Sequence, residues 1–126
     1  MTRKLEHGAV WLAALNPEGG TETAKTPVLL LQHQALLDAG HPTTLVVPLT
    51  SQLIAGAAPL RLRVPARGRL ARDFDLRIDQ LRAVDSRCLV EGPLALLDSG
   101  ELSQVYAAIL EILGILLVPD AASSEA

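Results

Sequence analysis

Three small polar residues, Thr50, Ser51 and Gln52, directly follow the apolar run Leu45-Val46-Val47-Pro48-Leu49. The β-branched run, taken from Leu45 to Gln52, reads as a buried strand, with Pro48 marking where its ladder must end. A rigid strand that delivers two hydroxyls and an amide to a rim can build a polar site. Taken alone, these residues read as an ordinary turn; the rest of the chain raises the site reading. A second polar set lies in Glu22-Thr23-Ala24-Lys25-Thr26, a loop with a carboxylate, an ammonium and two hydroxyls that runs to Pro27. A second buried strand, Val28 to Gln32, follows it. If the two strands lie side by side, both sets gather at one end of the fold.

The charge pattern singles out a third region. Net charge is −3, which argues against a generic polyanion binder. Yet eight of the eleven basic residues, Arg61, Arg63, Arg67, Arg69, Arg72, Arg77, Arg82 and Arg87, fall in one segment, beside Asp73, Asp75, Asp79 and Asp85. Two readings fit this segment: a solvated face laced with salt bridges, or a local anion-binding surface built from the side chain best shaped to fork onto phosphate. Trp11, Phe74 and Tyr106 are the only aromatics, so nucleic-acid contact would rest on charge and hydrogen bonds rather than extensive stacking.

Other chemistry is not signalled. No phosphate-cradling glycine loop, zinc-ligand spacing or nucleophile elbow is visible. His7, His33 and His41 read as surface or loop residues, and Cys88 as a packed strand residue. A single cysteine fits a reducing cytoplasm. No signal-peptide core is expected, and the C-terminal apolar stretch, interrupted by Glu111, is too short to span a bilayer.

The elements that must position these groups are short. Gly8–Leu15 reads as a strand, Gln32–Ala39 as one or two helical turns closed by Gly40, and Leu60–Val64 as a strand with one wet face. A basic loop, 65–72, comes next. Asp73–Val84 reads as a strand pair or one bent strand, with a bulge or kink near Asp79 because alternation breaks there. A last strand is expected over Cys88–Glu91, before Gly92-Pro93. Asp98 and Glu101 have capping-box spacing, and Leu102, Val105, Ile109, Ile112 and Leu116 form an amphipathic stripe that Pro119 stops. Tyr106, Leu113 and Leu117 widen the stripe enough to meet a second subunit. The expectation is one domain over 1–118 with a disordered tail, 119–126: mainly β with a C-terminal α-helix, closing as a small, partly open β-barrel.

Several segments together resemble a known family. Gly8-Ala9-Val10-Trp11, Leu15-Asn16-Pro17, Gly20-Thr21-Glu22, Pro27-Val28-Leu29-Leu30, Val47-Pro48-Leu49-Thr50-Ser51-Gln52, Asp79-Gln80-Leu81-Arg82-Ala83-Val84-Asp85 and Asp98-Ser99-Gly100-Glu101-Leu102 are similar, in order and spacing, to the MazF/PemK/Kid toxins of bacterial toxin–antitoxin pairs. The resemblance implies an SH3-like barrel, a cytoplasmic homodimer, and an endoribonuclease that cuts single-stranded RNA without a metal or other cofactor. Its partners would be single-stranded RNA and an antitoxin whose acidic tail lies across the dimer groove; no membrane is involved.

The resemblance also assigns roles. Thr50 would hydrogen-bond the scissile phosphate, with Ser51 and Gln52 beside it on the RNA. Asp79 and Gln80 would read base edges, and Arg61, Arg63 and Arg69 would contact the phosphate backbone. The family usually reads E-x-x-x-x-R-P before the second strand. This chain reads Glu22-Thr23-Ala24-Lys25-Thr26-Pro27, one residue shorter, with Thr26 where the arginine stands. The catalytic set implied is then Thr50, Glu22 and Lys25, with Thr26 on the RNA. Lysine is a point charge that cannot fork onto two oxygens, so the expectation is weakened activity, or catalysis completed by an arginine from Arg61–Arg72. The alternatives are a gyrase-inhibiting toxin resembling CcdB, and a catalytically impaired domain that only binds RNA or antitoxin.

Overall fold

A computed structural model describes residues 3–15 and 24–115. Seven strands form one antiparallel sheet: β1 (Ala9–Leu15), β2 (Ala24–Leu30), β3 (Thr43–Thr50), β4 (Arg61–Val64), β5 (Phe74–Arg77), β6 (Arg82–Asp85) and β7 (Leu89–Leu96). Two helices, α1 (Gln34–Asp38) and α2 (Ser99–Ile112), complete the described fold. The strand order is β4-β5-β3-β2-β1-β7, with β6 also pairing β3.

The expected barrel is not closed. Among the described residues β4 and β7 remain the two ends of an open sheet, so the SH3-like label is not carried further. The β4–β5 loop bridges toward the far end, where the Arg69 N–H donates to the Leu94 carbonyl on β7 (2.7 Å).

Strand alternation gives this sheet two apolar faces. Val10, Leu29, Val47, Leu49 and Leu76 pack with Val105 and Ala108 of α2. Ala9, Trp11, Val28, Leu30, Val46 and Leu89 form a second core on the other face, with Leu5 against it. Central strands buried on both faces explain why their sequences read as continuous apolar runs.

The kink expected near Asp79 is a single 3-10 turn, Ile78–Gln80. It lets β5 and β6 share one edge of β3: Thr50 pairs with Asp75 and Leu49 with Leu76, then Val46 pairs with Arg82 and Thr43 with Asp85.

Several boundaries differ from expectation. β2 begins at Ala24, so Lys25 and Thr26 are strand residues rather than loop. Pro27 is tolerated because it lies where β2 pairs with β1 alone; the β2–β3 ladder starts at Val28 and Pro48. β7 runs through Gly92 and Pro93, where a stop was expected, because it is an edge strand with an irregular register against β1. Cys88 sits in a short 3-10 turn rather than a strand, half-buried, and burial pushes its thiol pKa up.

α2 carries the expected capping box from Asp98 and Glu101. It stops at Ile112, short of Pro119, because Gly114 takes the left-handed conformation (φ +76°). The Gly114 and Ile115 N–H groups then close on the Glu111 and Leu110 carbonyls. Only Val105 and Ala108 of this helix are fully buried; Leu102 and Ile109 are partly so, while Tyr106, Ile112 and Leu113 are exposed. The expectations for Leu116, Leu117, Pro119 and the tail lie outside the described residues.

Candidate active site

Thr50 on β3 is the register partner of Asp75 on β5, which is in turn the partner of Arg63 on β4. Their sequence neighbours Leu49, Leu76 and Val64 point into the core beneath α2. Alternation therefore turns the row Thr50–Asp75–Arg63 to the opposite face.

Asp75 is the centre of this row. It is 1% exposed, yet charged, and each oxygen is satisfied. Arg63 Nε donates to Oδ1 (2.6 Å), the Ile54 N–H donates to Oδ2 (2.8 Å), and Arg61 Nη1 lies 3.9 Å from Oδ2. Burial alone would raise the Asp75 pKa. The Ile54 N–H, the Arg63 guanidinium and the charge of Arg61 outweigh it and hold the carboxyl below its ordinary value.

Arg61 links this centre to Thr50. Its Nη1 donates to the Gln52 carbonyl (2.9 Å), and the Gln52 backbone N–H donates to Thr50 Oγ1 (3.1 Å). The Thr50 hydroxyl thus caps a turn, which is its structural role. It still has a hydrogen to donate. One hydroxyl and two guanidiniums are therefore joined through one backbone residue and one carboxylate, across the neighbouring strands β3, β5 and β4.

The other predicted residues are distributed as follows. Ser51 and Gln52 are exposed in the bend after β3. Thr26, half-buried, shares a face with Val28, which is opposite Pro48. Two residues further along the same register lies Thr50, so Thr26 and Thr50 occupy one face. Lys25 is exposed and alternates with Leu29 onto the helix-side face, away from Thr50. Glu22 lies outside the described residues. Asp79 and Gln80 are exposed on the 3-10 turn, along β3 between the Leu49–Leu76 and Val46–Arg82 pairs. Arg69 lies at the β7 end of the sheet, in an ion pair with Glu91.

The salt-bridged face expected of the arginine segment is seen in five of its arginines. Arg61 and Arg63 pair with Asp75, Arg67 with Glu101, Arg69 with Glu91, and Arg87 with Asp85. Among the described residues no ion pair holds Arg72, Arg77 or Arg82. Sequence reasoning counted Asp75 only as one of four acids. The signal available was its place in Phe74-Asp75-Leu76-Arg77, an alternating run that mirrors Leu60–Val64.

The described residues thus form an open antiparallel sheet with a C-terminal helix, in which Thr50 ends β3 opposite the buried, arginine-paired Asp75. The sequence model for PemK-like, MazF-like toxins of type II toxin–antitoxin systems matches residues 6–113, and the chain belongs to that family. No curated protein matches the chain. Solved structures agree on the fold. A chain of the Deinococcus radiodurans MazE–MazF complex (form II) aligns with TM-score 0.74 at 22% identity, covering 91% of this chain and 100% of that one. The Mycobacterium tuberculosis toxin MazF-mt6 gives 0.71 at 17% identity, covering 86% and 99%. A mycobacterial endoribonuclease in complex with its cognate antitoxin gives 0.71 at 15%, covering 90% and 99%.

Proposed function

We propose that this chain is an endoribonuclease toxin that cleaves single-stranded RNA by attack of a ribose 2′-oxygen on the adjacent phosphorus. The new P–O bond forms as the bond to the 5′-oxygen breaks, leaving a 2′,3′-cyclic phosphate and a 5′-hydroxyl. The 2′-hydroxyl loses its proton, the departing 5′-oxygen gains one, and the intervening phosphorane carries extra negative charge that fixed donors stabilise. The reaction requires no metal. The observation that carries this reading is the Thr50 hydroxyl linked through the Gln52 backbone to Arg61 and opposite Asp75, which binds Arg63, in a chain of the MazF/PemK family. Thr50 donates to a phosphate oxygen, while Ser51, Gln52 and Thr26 border the strand. Asp79 and Gln80 contact bases one short step along β3, and Glu22 accepts the 2′-proton. The protein acts as a homodimer in the cytoplasm, silenced by an antitoxin with an acidic tail.

The test is incubation of purified protein with a long single-stranded RNA in EDTA, mapping 5′-hydroxyl ends. Discrete cuts that Thr50→Ala removes support the reading; intact RNA from the wild-type protein refutes it. Lys25 lies on the face opposite Thr50, an observation that favours the impaired domain as second reading, and intact RNA that shifts on a gel would establish that alternative.

A further inference from the structure

We propose that Asp75 is the positioning residue of this site, a buried carboxylate that makes Arg61 and Arg63 one fixed guanidinium clamp beside Thr50. The inference rests on the ribonuclease reading above and deepens it. It concerns the cation that the shortened Glu22–Pro27 segment does not supply on Thr50's face.

A buried carboxylate is costly unless paired, and here it is paired twice over. Two guanidiniums against one carboxylate leave a net positive charge at the row. Arg63 spends its Nε on Asp75 (2.6 Å) and keeps its outer nitrogens. Arg61 spends Nη1 on the Gln52 carbonyl and approaches Asp75 with that same atom. The remaining donors of both side chains are held in fixed forks, the geometry that matches phosphate oxygens. A cleft of about 210 Å³ opens against this pair, lined by Arg61, Arg63, Asp75 and the 54–58 loop. Asp75 also anchors that loop through the Ile54 N–H, so one carboxylate fixes two cations and one wall. Asp75 itself is too deeply buried to touch RNA; it acts through the arginines.

Single-turnover cleavage of an RNA oligonucleotide spanning a mapped cut site tests this, together with affinity for the same strand carrying 2′-deoxyribose at that site. Asp75→Asn keeps the shape and removes the charge. The expected result is a maximal rate lower by about 10²-fold with affinity for the uncleavable strand unchanged or tighter, since two guanidiniums lose their neutralising partner. The Arg61→Ala/Arg63→Ala double variant should lose rate comparably, regain part of it in added guanidinium, and suffer no further loss from Asp75→Asn. Should Asp75→Asn fail to fold, Arg63→Lys carries the test, because it keeps the charge and loses the fork: lower rate at unchanged affinity is expected. Cleavage that survives Asp75→Asn or Arg63→Lys at full rate, or losses that simply multiply, overturn the inference while the ribonuclease reading stands. Wild-type protein that leaves the RNA intact overturns both.

Discussion

Arg67 grips Glu101 with both outer guanidinium nitrogens, each 2.6 Å from a carboxylate oxygen, and so clips the β4–β5 loop to the first turn of α2. Glu101 also accepts the Asp98 N–H (2.9 Å), while Asp98 accepts the Glu101 N–H (2.8 Å). Asp98→Ala removes only the cap and should cost about 1 kcal/mol. Glu101→Ala removes the reciprocal bond and the bidentate pair together and should cost about 2 kcal/mol. Urea unfolding of the two variants checks the order; equal losses would mean that the clip contributes nothing.

Acid should unfold the protein through three carboxyls. Arg67's hydrogen bond holds Glu101 below its ordinary value against partial burial. The Arg87 side chain and backbone N–H bring Asp85 down to about 2, and Asp75 is also lowered. When folded, these groups take up protons only at lower pH than when unfolded, so within that window the unfolded chain binds more protons. Their contribution is complete above the ordinary carboxylate range and is lost as pH falls toward 2. Urea midpoints measured from pH 6 downward should fall steadily. Asp85→Asn should remove part of the slope, as should high salt, because the Asp85–Arg87 pair is exposed.

Gly92 lies against the indole of Trp11. A β-carbon there would come within 2.5 Å of Trp11 Cδ2, and Trp11 is only 4% exposed in its core. Gly92→Ala should therefore cost about 1–3 kcal/mol by overpacking. The sole tryptophan reports the change: its fluorescence should shift, and the thermal midpoint should drop.

Thr50 is the residue on which the proposed chemistry turns, and its structural contribution is small. Losing the bond from the Gln52 N–H should cost about 1 kcal/mol, so Thr50→Ala should remain folded while cleavage is lost. Thr50→Ser keeps the hydroxyl and should retain most of the rate. A Thr50→Ala protein that cleaves normally would remove this hydroxyl from the mechanism.

The sequence made the local grammar legible. The Asp98–Glu101 cap, the interruption at Asp79 and the alternation of Leu60–Val64 each follow from side-chain chemistry within a few residues. Features decided by neighbouring strands were not legible. Pro48 and Pro93 read as stops, and only the pairing beyond each shows that β3 and β7 continue through them. Thr50 stood out as a hydroxyl at a strand end. The face it shares with Asp75 and Arg63 depends on which strands pair and in what register, and that placement also separates it from Lys25. The resemblance expects an arginine before Pro27, where Thr26 stands; the guanidiniums linked to Thr50 through Gln52 and Asp75 come from another segment.

The turn Ile78–Gln80 sets a constraint on how this scaffold can vary. Its three residues take up the offset between the two ladders that β3 makes along one edge. Side chains reverse sides with each residue, so lengthening or shortening the turn by one would invert β6, expelling Val84 from its core and driving Ala83 or Asp85 inward. Changes of residue type at Asp79 and Gln80 carry no such penalty. Diversity at this position is thus open to substitution and closed to single insertions or deletions, which makes the turn a natural place to vary chemistry at constant length.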